Sequence, residues 1–141
     1  MNDILFSSKK MDWETPQYLY DLLNEEFHFT CDVAADDTNY KHDNYFTIQQ
    51  DALSQAWHGT CWCNPPYGRN ISKWVKKAYN EAKNGVTTVM LIPARTDTQY
   101  FHEYIYNQHE IRFLKGRLKF GNSKNSAPFP SMIVVFKENK I

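Results

Sequence analysis

The chain predicts an α/β domain: an open, mostly parallel sheet flanked by helices, with an antiparallel strand at its C-terminal end. Three observations lead there. Strand-like and helix-like stretches alternate through most of the 141 residues, as they do when crossover helices wind a sheet. Residues 86–92 (V-T-T-V-M-L-I) are a near-continuous apolar run, the pattern of a central parallel strand covered on both faces. Two short apolar stretches end in polar residues, Asp32 and Asn64, which suits the carboxyl edge of such a sheet, where ligands bind.

The elements follow in order. Residues 1–12, with Ser7-Ser8-Lys9-Lys10, read as a flexible arm, and residues 13–141 as the domain. Thr15-Pro16 reads as a helix start, with Thr15 as N-cap and Pro16 at the first helical position. Leu19, Leu22, Leu23 and Phe27 follow at helical spacing. Residues 27–33 alternate like a strand ending near Asp32. Residues 34–50 are polar, with a short helix expected over 36–41 and a weak strand over 45–48. Residues 60–64 form a short strand. Asn70 caps a helix whose apolar stripe is Ile71, Trp74, Val75, Ala78, Tyr79 and Ala82, and Asn84-Gly85 ends it. Asp97 caps another helix running to about Asn107. Residues 111–114 and 132–136 are the last two strands. No repeat, low-complexity tract or linker interrupts the series.

Bulk properties narrow the function classes. Hydrophobic content of 42% with 16% aromatic residues excludes a disordered chain. No apolar run approaches membrane-spanning length and no signal-peptide pattern opens the chain, so the expectation is cytoplasmic, without a membrane partner. Three cysteines argue against a disulfide framework. Cys61 and Cys63 share one strand face, and zinc would need further ligands that only Cys31 and scattered histidines offer, so inert thiols and no metal are expected. The net charge of zero hides a division. Residues 1–63 hold eleven acidic side chains against three basic ones, and residues 64–141 hold five against thirteen. Such a split suits a protein that handles a cation with one half and a polyanion with the other.

The most informative motif is Asn64-Pro65-Pro66-Tyr67, directly after the apolar Cys61-Trp62-Cys63. Two prolines hold φ near about −65° and push the residue before each into extended backbone. The Asn64 carboxamide and the Pro65 carbonyl then offer two acceptors side by side, next to an aromatic ring. Such a group grips an amino group by both hydrogens while Tyr67 stacks on the ring that carries it.

With its neighbours, the motif resembles class I S-adenosylmethionine-dependent amino methyltransferases, and more closely the small phage-type Dam family of DNA N6-adenine methyltransferases. The resemblance covers residues 13–136 and rests on motifs in a fixed order. They are W-E-T-P-x-x-L at 13–19, D-V-A-A-D at 32–36, D-A-L at 51–53, N-P-P-Y-G at 64–68, W-V-K-K-A at 74–78, L-I-P-A-R-T-D-T at 91–98 and K-G-R-L-K-F-G at 115–121. It implies a single-domain Rossmann-like methyltransferase sheet, S-adenosylmethionine as cofactor and DNA as partner, with phage or prophage origin. No segment is assigned to a separate target-recognition domain, which leaves selectivity to loops such as 68–70 and 121–130. Monomer and homodimer both remain open.

By the same resemblance, Thr15 receives the cofactor carboxylate, Asp32 with the Val33, Ala34 and Ala35 backbone meets the methionine moiety, and Asp51 contacts the cofactor adenine. Asn64, Pro65, Pro66 and Tyr67 form the catalytic motif, with Asn64 also against the cofactor. Phe120 is the expected second wall for the target base, with Phe113 and Phe129 as rivals. Arg69, Lys73, Arg95, Arg117 and Lys119 are expected on the DNA backbone. Two departures bear on the cofactor pocket. Ala34-Ala35 stand where a glycine-rich turn is usual, and only eighteen residues separate Asp32 from Asp51, too few for the usual second strand. Asp36 and Asp37 are the candidates for the ribose. Other planar amino groups (cytosine N4, RNA adenine, protein glutamine) and a catalytically silent nucleic-acid-binding domain are the rival readings. Cofactor binding separates the last from the rest.

Overall fold

Five strands build one mixed sheet in the computed structural model, which describes residues 13–121 and 123–139. The arm expected over residues 1–12 lies outside the described residues. β1 (Cys31–Asp32), β2 (Thr60–Cys63) and β3 (Thr87–Pro93) lie parallel and adjacent. β4 (Glu110–Phe113) forms the far edge, and β5 (Ser131–Phe136) lies between β3 and β4, antiparallel to both. The order is therefore β1-β2-β3-β5-β4, with β5 alone reversed among these five, as the sequence predicts.

Strand alternation assigns each apolar residue to a face. Trp62, Val89, Leu91, Ile133 and Val135 share one face, covered by Leu19, Tyr20 and Leu23 of α1 (Gln17–Phe27). Cys61, Cys63, Met90, Ile92, Met132, Val134 and Phe136 share the other, covered by Ile71, Val75, Ala78 and Ala82 of α2 (Ile71–Lys83). Both faces are thus buried, which is why residues 86–92 carry no polar alternation. All three cysteines are buried and unpaired. Burial pushes the Cys31 thiol up to about 11 and the Cys61 thiol up to about 12, so neither is a thiolate near neutral pH. Among the described residues no helix is long and apolar enough to cross a membrane.

Several boundaries differ from the sequence expectation, each for a local reason. α1 begins at Gln17 with Pro16 as its N-cap, so Thr15 is not the capping residue. It runs on through Phe27 because His28, at φ 56°, closes it by donating its N–H to the Asn24 carbonyl. The strand expected over 27–33 therefore shrinks to Cys31–Asp32. No helix forms over 36–41; the Asp36 carboxylate accepts the Thr38 and Asn39 amides and organises turns instead. The strand expected over 45–48 reduces to one parallel bridge, Asp32 to Tyr45. Thr47 ends it with a capping box that starts a 3-10 turn, Ile48–Gln50. A second turn, Ala52–Ser54, follows. After β3 it is the Thr98 hydroxyl, not Asp97, that accepts the Phe101 amide, and the segment Phe101–Ile105 is a single π turn.

Gly59, just before β2, is needed where it stands. Its φ is +71°, and a Cβ there would meet the Thr30 hydroxyl at 2.5 Å. That hydroxyl cannot retreat, because it accepts from the Thr60 amide and donates to the Thr60 carbonyl, tying β1 to β2. Gly59→Ala is expected to destabilise the fold by about 2 kcal/mol or more, from left-handed backbone plus the clash. Urea denaturation checks this, and an unchanged midpoint would contradict it.

Candidate active site

β1, β2 and β3 end at one edge, and the register that pairs Asp32 with Trp62 and Cys63 with Met90 brings Asp32 and Asn64 to it together. A cavity of about 390 Å³ opens there, within the usual range for small-molecule sites. Thr15, Asp32, Ala34, Asp51, Asn64, Pro65 and Pro66 all line it. Ala34 and Ala35 take the place of a glycine-rich turn without closing the space. Among its described lining residues five are carboxylates (Glu14, Asp32, Asp36, Asp37, Asp51) and one, Lys41, is a cation. The cavity therefore favours a ligand with net positive charge.

Asn64 is held by residues far from it along the chain, with no local signal connecting them to it. Its side-chain Nδ2 donates to the Trp13 carbonyl at 2.6 Å and to the Thr15 hydroxyl at 2.9 Å. A carbonyl only accepts, so the amide must present its NH2 there and turn Oδ1 the other way. Oδ1 is buried and has no donor among the described residues. An acceptor left so costs about 1–3 kcal/mol, a penalty that a ligand donor removes. No described residue donates to the Pro65 carbonyl either. Thr15 is thus buried and tied to Asn64, which answers why it does not cap α1.

Tyr67 stands one step beyond, inside an aromatic cluster. Trp13 lies roughly parallel to it with centroids 6.4 Å apart, while Phe120 and Phe129 meet it edge-on at 6.1 and 5.7 Å. Trp13 also touches both phenylalanines. The Tyr67 hydroxyl donates to the Leu91 carbonyl at 3.2 Å, which pins the ring to β3. Burial pushes its phenol well above the ordinary value, so it stays protonated at neutral pH. Phe120 and its rival Phe129 both belong to this cluster; Phe113, 61% exposed on β4, does not. The Trp13 Nε1–H is buried without an acceptor among the described residues, a donor counterpart to Asn64 Oδ1.

Asp32 is 2% exposed. One carboxylate oxygen accepts the Ala34 amide at 3.2 Å and the other the Lys41 amide at 2.9 Å, so it shapes the 33–41 loop as well as lining the cavity. Burial raises its pKa, and the two amides partly offset this. Asp51 is exposed, at φ 51°, and its side chain does not cap the turn that follows.

The expected DNA contacts leave from the same edge. Arg69 follows Tyr67, Lys73 lies in the first turn of α2, and Arg95 follows β3. β4 runs parallel to β3, since β5 opposes both, so the loop carrying Arg117, Lys119 and Phe120 also starts at the carboxyl edge. All five cations are exposed, and none is in an ion pair among the described residues. Lys77 and Arg112 are otherwise engaged: Lys77 bonds Glu81 at 2.8 Å, and Arg112 bridges β4 to Glu26 of α1.

Residues 4–140 match the family of DNA N-6-adenine-methyltransferases (Dam). Among curated relatives, a DNA N-6-adenine-methyltransferase of Haemophilus phage HP1 is 28% identical over 93% of this chain and 83% of its own. A DNA N-6-adenine-methyltransferase of Escherichia phage T1 is 28% identical over 75% of this chain and 45% of its own. A match that spans nearly every residue, on a chain whose Asn64, Pro65 and Pro66 line the cavity, settles the family: the chain belongs to the Dam family of DNA N-6-adenine-methyltransferases.

Proposed function

We propose that the protein methylates the N6 amino group of adenine in DNA, using S-adenosylmethionine held on a single-domain Rossmann-like sheet. The observation that carries this is the Asn64 amide, clamped by Trp13 and Thr15 so that a buried, unpartnered oxygen faces the site. An exocyclic amino group is the donor it suits. Adenine also carries a ring nitrogen acceptor beside that amino group, the complement of the unpartnered Trp13 Nε1–H. Guanine and thymine present a carbonyl oxygen at the corresponding place, which Asn64 Oδ1 would repel.

The cavity suits the cofactor on its donor set: five carboxylates and one ammonium for a ligand with a sulfonium, an ammonium and one carboxylate. When bound, S-adenosylmethionine supplies a methyl group activated by its sulfonium. The chain's own residues then act on the target base. Asn64 Oδ1 and the Pro65 carbonyl accept the two N6 hydrogens, which draws the nitrogen lone pair out of conjugation with the ring. The same two oxygens stabilise the positive charge that develops on N6, because they are fixed before the reaction begins. No side-chain base is required, since the extra proton leaves N6 afterwards. Tyr67, Phe120 and Phe129 supply an apolar place for a base flipped from the duplex, a movement that costs a few kcal/mol. Arg69, Lys73, Arg95, Arg117 and Lys119 hold the phosphates around it. A bacterial host's cytoplasm is the compartment this reading implies, and the phage origin of the relatives supports it.

Nucleoside mass spectrometry tests the proposal. Unmethylated duplex DNA incubated with protein and S-adenosylmethionine is expected to yield N6-methyladenine, formed at least about a hundredfold more slowly with Asn64→Ala. N4-methylcytosine in its place would refute the base assignment. Tight cofactor binding without any methylated nucleoside would refute DNA as substrate.

A further inference from the structure

The acidic cavity contains one cation whose place the family motifs leave unexplained. Lys41 comes from the turn-rich loop between β1 and β2, and its side chain is only 7% exposed. Its Nζ donates to Gln17 Oε1 at 2.9 Å and stands 3.7 Å from the Glu14 carboxylate, too far for a hydrogen bond. An ammonium has three donors, and among the described residues two of these lack a close acceptor. Its backbone is fixed as well, because the Lys41 amide donates to Asp32 Oδ2. A charge buried with unmet donors is costly unless a ligand completes it.

Thr15, the residue that the family resemblance assigns to the cofactor carboxylate, accepts from Asn64 with its hydroxyl oxygen, which leaves its O–H to donate to that carboxylate but supplies no charge to balance it. Every other charged side chain among the described lining residues is acidic. On the cofactor reading above, on which this inference rests, the ligand brings one anionic group, its carboxylate. We propose that Lys41 binds the carboxylate of S-adenosylmethionine. Glu14 and Gln17, the two residues beside the Lys41 ammonium, flank Thr15 and so the clamp on Asn64. The lysine that receives the cofactor's amino-acid end therefore sits against the same short segment that orients the acceptor for the target amine.

The test needs no turnover. Calorimetric titration without DNA would compare S-adenosylmethionine with its decarboxylated analogue, which keeps the sulfonium and the ammonium. Wild type is expected to prefer the carboxylated ligand on the order of ten- to a hundredfold, the usual worth of a hydrogen bond to a charged group. Lys41→Met should lose a comparable factor for S-adenosylmethionine and change little for the analogue. Lys41→Arg, which keeps the cation, should keep the preference. Equal losses for both ligands in Lys41→Met would make Lys41 a brace for the loop and overturn the assignment. So would a wild type with no preference between them, a result that depends on no variant folding. Binding of neither ligand by wild type would instead overturn the cofactor reading itself.

Discussion

Asn64→Ala is expected to lower kcat for adenine methylation by about 10²–10³-fold, the range seen when one preorganised electrostatic contact to developing charge is removed. Cofactor affinity should change much less, because on the proposed reading the lost atom faces the amine. The variant also strands two acceptors, the Trp13 carbonyl and the Thr15 hydroxyl, that now receive the Asn64 hydrogens. A stability loss of about 1–3 kcal/mol should accompany the kinetic one, so a thermal melt belongs beside the rate. Thr15→Val separates the two roles. It keeps Asn64 Oδ1 but removes one of the two anchors of the amide, for an expected fall in kcat of about tenfold through lost orientation. Steady-state kinetics with a methyl-transfer assay reads both variants. Full kcat in Asn64→Ala would sink the acceptor role. A Thr15→Val defect confined to cofactor affinity would show that its hydroxyl serves the cofactor and not the orientation of Asn64.

What was readable in the sequence, and what was not, divides by distance along the chain. The apolar run over 86–92 and the stripe from Ile71 to Ala82 are local signals, and both became the buried elements they predict, β3 and α2. Asn64-Pro65-Pro66-Tyr67 is local too, and its backbone lies at the carboxyl edge as a strand-ending motif should. The clamp on Asn64 is not local: Trp13 and Thr15 lie 51 and 49 residues away, and nothing in W-E-T-P announces a hydrogen bond to a distant amide. Lys41 was equally silent. A lysine in a polar stretch reads as solvated, and only the turns built on Asp32 and Asp36 fold it into the cavity. Phe113 and Phe120 look alike as aromatics near strand ends. The sheet order decides between them, leaving Phe113 on the edge strand and folding Phe120 back over Tyr67. The charge division survives folding in an informative way. The acidic half supplies all five carboxylates among the described lining residues, and the basic half supplies the five exposed cations expected on DNA. On the proposed reading, a site for a cationic cofactor and a surface for a polyanion are therefore neighbours, which a transfer between the two requires.

Tyr67 is where packing and the proposed function overlap, and two substitutions pull them apart. Tyr67→Ala is expected to weaken binding of DNA with a flipped adenine by about 1–3 kcal/mol, the usual worth of an aromatic platform under a base. It also empties the centre of the cluster formed with Trp13, Phe120 and Phe129, at a cost of about 3 kcal/mol in stability. A lower melting temperature alone would therefore prove nothing about the base. Tyr67→Phe keeps the ring and loses only the hydrogen bond to the Leu91 carbonyl, for about 1 kcal/mol. Because burial holds the phenol protonated, the hydroxyl has no proton to give or take near neutral pH, and the phenylalanine variant should keep most of the wild-type kcat and its pH profile. The informative readout is 2-aminopurine fluorescence at the target position, which rises when the base leaves the stack. Wild type and Tyr67→Phe should show the rise, and Tyr67→Ala should lose most of it even well below its melting temperature. If Tyr67→Ala melts early yet flips the base as wild type does, the ring is a core residue, and the stacking surface must be sought on Trp13, whose indole lies along the same face.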